Sequence, residues 1–189
     1  MKTKTIFLSL LIVALVVINY STGYSQALGS PKLGGKSPVI TNYYSPELMG
    51  NGDALKIYIA AEDPDGEMLR IAVIVNQSGY GDYFTDWTYL KPGDQKSFKG
   101  YLQWNTHAGT ILSELTRVTL MISVFDKAGL ESNEVIIPLG FTSFGVSYPP
   151  PPAPFDQKDL HRLGYISVNL INPYRDSDRG NQMMFPIIQ

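Results

Sequence analysis

The chain has 189 residues, 44% of them hydrophobic, and a formal charge of -2, which suits one domain of ordinary size with extensions and disfavours general affinity for nucleic acid or anionic membrane. It contains no cysteine. That excludes a disulfide framework, Cys-ligated metal, an iron–sulfur cluster, a thiol nucleophile and a lipidated N-terminal cysteine, so stability must come from packing.

At the N-terminus, Lys2 and Lys4 precede an apolar run from Ile6 to Ile18 and then small, polar residues. This layout predicts a secretory signal peptide over residues 1–27, with Ser25-Gln26-Ala27 as a small-x-small cleavage site. The run is shorter than the ~20 residues a spanning helix needs. The expected location is therefore secreted, either extracellular or periplasmic, with no membrane insertion after cleavage. Residues 28–37, LGSPKLGGKS, read as a flexible leader.

A first strand is expected at Pro38 to Tyr44, broken by Ser45-Pro46 and Gly50-Asn51-Gly52-Asp53. Ala54 to Asn76 then reads as a hairpin of two alternating strands. Leu55, Ile57, Ile59 and Ala61 share one face, as do Leu69, Ile71, Val73 and Val75, because side chains alternate with period two. Met68, Arg70, Ala72 and Ile74 fall on the opposite face. The turn Glu62-Asp63-Pro64-Asp65-Gly66-Glu67 combines a fixed φ, Asp acceptors and a permissive Gly.

Asp86 to Leu90 is a short strand candidate, closed by the turn Lys91-Pro92-Gly93-Asp94. Ser97 to Trp104 is a further strand. Thr110 to Leu115 suits either a helical turn capped by Thr110 or the extension of a strand, and is read as a short helical crossover. Arg117 to Asp126 is a strand with Val118, Leu120, Ile122 and Val124 inward, and Glu134 to Phe141 follows, confined to an edge by Pro138. About seven strands at this spacing argue for a sandwich.

The segments AAEDPDGEMLRIAVIV and VTLMISVFDKAGLESNEVIIPL resemble the B–C and F–G pairs of bacterial immunoglobulin-like modules of the cadherin-like and PKD-like type. The resemblance covers residues 38–141. It implies an all-β, immunoglobulin-like antiparallel sandwich, here in a single copy and without the paired cysteines of antibody domains. Beyond it, Tyr148 to Pro154 predicts a stiff polyproline spacer within residues 142–155. Residues 156–189 form a tail in which Leu163 to Ile171 alternates like a strand and Met183 to Ile188 is apolar.

Three surfaces are candidates for function. The outward face of the C-F-G sheet is expected to present Met68, Ala72, Ile74, Met121, Phe125 and Ile136, too apolar for a free surface, with Tyr165, Ile166, Val168, Leu170 and Ile171 of the tail as its cover or as a contribution to a protein or self-association interface. Tyr80, Tyr83, Phe84, Trp87 and Tyr89 are an alternative platform for stacking sugars, which would make the chain an accessory carbohydrate-binding module. Asp63, Asp65, Glu67 and Asp126 are hard oxygen donors that suit calcium, although the same residues read first as turn formers, and no cofactor is expected. His107 and His161 have no evident nucleophile beside them, so the chain reads as a non-enzyme. The function expected is that of an exported structural and protein-interaction module within an extracellular or envelope assembly.

Overall fold

The computed structural model describes residues 35–105, 116–142 and 145–171. The expected signal peptide, residues 28–34 of the leader, the Thr110 to Leu115 crossover, His107 and the Met183 to Ile188 run lie outside the described residues. The strands are β1 (Val39–Tyr44), β2 (Leu48–Gly50), β3 (Ala54–Glu62), β4 (Met68–Gln77), β5 (Gly81–Asp82), β6 (Asp86–Tyr89), β7 (Ser97–Asn105), β8 (Arg117–Asp126), β9 (Val135–Thr142) and β10 (His161–Ile166), with one 3₁₀ turn at Pro92–Asp94.

They form two layers. One sheet has the order β1-β3-β7-β10; the other runs β2-β9-β8-β4-β5, with β6 also paired to β4. Lettered as in immunoglobulin domains, β1, β3 and β7 stand as A, B and E, and β4, β8 and β9 as C, F and G. The chain is an all-β, immunoglobulin-like sandwich.

The two strands read as a hairpin are not partners. β3 pairs with β1 and β7, whereas β4 pairs with β8, β5 and β6. The Glu62 to Glu67 turn is instead an arch that carries the chain from one sheet to the other. Both strands bury the face toward the interior, so their alternation is the same whether they pair or face each other.

Leu55, Ile57, Ile59, Leu102 and Trp104 from one sheet meet Ile71, Val73, Val75, Leu120, Ile122, Val124, Ile137 and Leu139 from the other. Trp104 and Phe141 make an edge-on contact at 6.4 Å. Pro138 lies on the stretch of β9 that β2 leaves uncovered, because β2 pairs only with Gly140 to Thr142. At one side of the sandwich the Asn133 amide stands in for a strand, accepting from the Ile40 N–H (2.8 Å) and donating to the Ile40 carbonyl (3.2 Å).

The other side is closed by residues 161–171. β10 runs parallel to β7 in the place beside E that strand D holds in constant-type domains. Ile166 and Leu170 are buried, and the Trp104 indole N–H donates to the Val168 carbonyl (2.9 Å). The Ser167 N–H donates to Asp86 Oδ2 (2.5 Å), and Gln77 Nε2 donates to the Ile171 carbonyl (2.7 Å). The segment therefore joins the margins of both sheets. Two glycines permit it: a Cβ on Gly100 would lie 2.6 Å from the His161 carbonyl, and one on Gly164 would lie 2.5 Å from Thr88 Cγ2.

The proline-rich segment does not hold a tail away from the sandwich. Pro149 to Pro151 lie along a groove with Tyr44, Pro46, Lys56 and Tyr58 that encloses about 300 Å³. Phe155, buried, packs on Tyr58 at 5.7 Å. Tyr44, Tyr58 and Tyr101 stand in cross-strand register on this outer face, 6.1 and 5.9 Å apart. The Tyr148 hydroxyl accepts from the Gly50 N–H (3.1 Å) and donates to Asp53 Oδ2 (2.9 Å), anchoring the start of the segment.

Candidate functional site

The outer face of the six-stranded sheet is built from cross-strand rows. Tyr89, Arg70 and Phe125 form one, Trp87, Ala72 and Ser123 the next, then Ile74, Met121 and Ile136, then Asn76, Thr119 and Pro138. Tyr89 (63%), Ile136 (58%) and Trp87 (38%) are exposed, Ile74, Met121 and Phe125 are half-buried, and Ala72 and Ser123 form the buried floor. The Arg70 guanidinium lies 3.9 Å over the Trp87 ring and 5.9 Å from that of Phe125, and the two rings meet edge-on at 5.5 Å.

Met68 does not belong to this face. The register of β4 against β8 shifts between Met68 and Arg70, and such a bulge inverts the facing of the residues before it. Met68 is consequently fully buried in the core, and Leu69, expected inward, is half-buried. Nor do the tail residues named as its cover, all within the described residues, reach this face. Tyr165 is exposed on β10 with Arg162 over its ring at 4.1 Å, Ile166 and Leu170 enter the core, and Val168 packs against it.

The five aromatics of residues 80–89 divide into separate groups. Trp87 and Tyr89 join the outer face, where Arg70 already occupies one side of the indole. Tyr83 is packed against the core, donating its hydroxyl to Gln77 Oε1 (2.5 Å) and accepting from the Ile171 N–H (2.9 Å), with Tyr80 stacked on it at 4.9 Å. Phe84 projects fully into solvent. They do not make one platform.

The acidic residues are drawn into two turns of the same design. In Asp63-Pro64-Asp65-Gly66 the Gly66 N–H donates to the Asp63 carbonyl (3.1 Å), and Asp63 accepts from the N–H groups of Asp65 (2.9 Å) and Glu67 (2.8 Å). In Asp126-Lys127-Ala128-Gly129 the Gly129 N–H donates to the Asp126 carbonyl (3.3 Å), and Asp126 Oδ1 accepts from the Leu130 N–H (2.8 Å). Gly66 and Gly129 have φ of 72° and 86°, a region that favours glycine. The Lys127 N–H donates to the Glu67 carbonyl (3.0 Å), locking the turns together, and Asp65 Oδ2 accepts from the Lys36 N–H (2.6 Å). Among the described residues no group of three His, Asp or Glu is placed to hold a metal ion. The repeated Asp-x-x-Gly pattern was available in the sequence as a sign of these paired caps.

His161, exposed, lies 3.2 Å from Asp94. Tyrosine ionisation reports the covered regions: burial raises the pKa of Tyr58, helped by the neighbouring Tyr101 and Tyr44, and burial likewise raises Tyr83 and Tyr148. No helix among the described residues is long and apolar enough to cross a membrane.

No protein-family model matches the sequence, and neither does any curated protein. Among solved structures, the chain is similar to the PKD domain of a peptidase from a Thermoplasmatales archaeon, at 15% identity and a TM-score of 0.39, over 57% of this chain and 97% of that one. It is also similar to fibronectin(III)-like modules of Clostridium thermocellum CbhA, at 13% identity and a TM-score of 0.36, over 59% of this chain and 51% of that one. A third similarity is to a CARDB domain from Pyrococcus furiosus, at 10% identity and a TM-score of 0.33, over 57% of this chain and 94% of that one.

Proposed function

We propose that this chain is a non-catalytic, exported structural and protein-interaction module of an extracellular or envelope assembly, and that it docks a protein partner through the outer face of its six-stranded sheet. The observation that carries the reading is the row structure of that face. Trp87, Phe125, Ile74, Met121 and Ile136 form a continuous apolar surface, where an antiparallel sheet facing water is ordinarily polar. Export rests on the Lys2 and Lys4 pair and the apolar run behind it. The sugar-platform alternative loses support because its aromatics point to different surroundings.

A photo-crosslinking residue placed at position 136, in the full chain expressed in its own secreting cells, tests this. Discrete protein adducts are expected there and not from position 56, on the opposite sheet. Equal labelling from both positions, or none from 136, overturns the reading.

A further inference from the structure

Resting on that docking reading, we infer that the segment recognised by this face is an acidic one, presenting a carboxylate to Arg70 with apolar side chains beside it.

Arg70 is the only cation among the described residues of the four rows that make up the face, whose ends reach two acids, Glu131 beside Phe125 and Asp82 beside Asn76. Its side chain makes no hydrogen bond or ion pair among the described residues, and its Nε is buried without an acceptor. Its contacts are the rings of Trp87 and Phe125. A guanidinium held over an indole face is oriented by the ring, and its outer donors do not bond to the ring. With Nε shut in, those donors are the two Nη groups at the outer end, which are not sealed from solvent. A carboxylate accepts two parallel N–H bonds from such a fork.

The surroundings decide what carries the carboxylate. Tyr89 stands on one side of Arg70 and Phe125 on the other, with Ile74, Met121 and Ile136 in the row beyond Ala72. A free anion would make no use of that apolar area, whereas a protein segment with an acidic residue among apolar ones would cover it and meet the charge. Desolvation on docking strengthens the pair and suppresses partners that place a cation or an apolar group over Arg70. Glu131, bridged to Phe125, ends the same row about 10 Å from Arg70 on strand spacing. It is too far to neutralise Arg70 and would repel an acid placed beyond Phe125, so the favoured position is over the Trp87 and Tyr89 side.

The test is selection of a random peptide library on phage against the full chain, in parallel with its Arg70→Gln, Arg70→Lys and Ile136→Asp variants. Peptides enriched on the natural sequence should carry Asp or Glu flanked by apolar residues and lose at least about tenfold in affinity on Arg70→Gln, with partial retention on Arg70→Lys. Their affinity should fall as salt is raised. Peptides lacking an acid that bind Arg70→Gln equally well overturn the inference and leave the docking surface standing. Enrichment no greater than on Ile136→Asp overturns both. Should Arg70→Gln fail to fold, the natural chain is titrated with each selected peptide and its Asp→Asn or Glu→Gln counterpart: a loss of about tenfold supports the carboxylate contact, and equal affinity removes it.

Discussion

The two outer faces of this sandwich are built alike and finished differently. Each carries an aromatic row in cross-strand register: Tyr44, Tyr58 and Tyr101 on the four-stranded sheet, and Tyr89, Arg70 and Phe125 beside Trp87 on the six-stranded one. The first is overlaid by the chain's own Pro149 to Pro151 segment and Phe155. The second has Trp87, Tyr89 and Ile136 open to water. An apolar sheet face is therefore informative only once the chain that might cover it has been traced, and here the same device serves stability on one side and, in our proposal, recognition on the other.

The comparison breaks most severely if the cover is removed. Truncation after Ser147 uncovers the tyrosine row and withdraws Phe155, Ile166 and Leu170 from burial; at about 1.5–3 kcal/mol per buried large apolar side chain, a loss of roughly 5 kcal/mol or more is expected. Urea denaturation measures it, and a truncated chain within about 1 kcal/mol of the full one would mean that the cover contributes little.

A smaller effect sharpens how the cover is seated. Gly164→Ala should cost about 2 kcal/mol, because its Cβ would collide with Thr88. Thr88→Ala removes the two nearest atoms, so the double variant should recover about 1 kcal/mol in a mutant cycle. Additive losses would place the close approach elsewhere.

Alkaline titration reads the covered regions directly. Tyr58, Tyr83 and Tyr148 have pKa values raised in the folded chain, above the ordinary 10.0. The folded state thus keeps protons that the unfolded state releases, so their contribution to stability is whole below pH 10 and is lost as pH rises through their folded values. Absorbance at the phenolate band should show these tyrosines ionising late, and Tyr58 should ionise earlier in the truncated chain. An unchanged Tyr58 titration would show that Phe155 does not shield it.

The smallest effect belongs to the open face. Ile136→Asp should change stability by no more than about 0.5 kcal/mol, as for exposed positions generally. A loss comparable to truncation would make that face a structural element.

Period-two alternation located the long strands to within a residue or two, because Leu55, Ile57 and Ile59, or Leu120, Ile122 and Val124, have one dry side wherever they pair. It could not assign them to sheets. β3 and β4 bury the same kind of face whether they are neighbours in one layer or opposed across the core, and only the tertiary arrangement separates a hairpin from an arch. Met68 was misplaced because a one-residue bulge has no compositional mark in MLRI. The Tyr148 to Pro154 segment was rightly seen as stiff, but its partner, a tyrosine row spread over Tyr44, Tyr58 and Tyr101, becomes contiguous only across three strands. Of the open face, Ala72, Ile74, Met121, Phe125 and Ile136 were legible from alternation. Arg70 was legible there too, as a charge interrupting the apolar face, but the contribution of Trp87 and Tyr89 was not, since it depends on β6 folding back along β4.

The parallel placement of β10 has a consequence for the order of events as the chain is made. A strand that lies parallel to its neighbour needs a long connection, and the edge of β7 stays bare until residues 161–166 arrive. A chain emerging N-terminus first, from a ribosome or a membrane pore, thus displays an unfinished sheet for most of its passage. Because this edge is completed only by the last described strand, the earlier portion is expected to need protection from other open edges until that strand is in place.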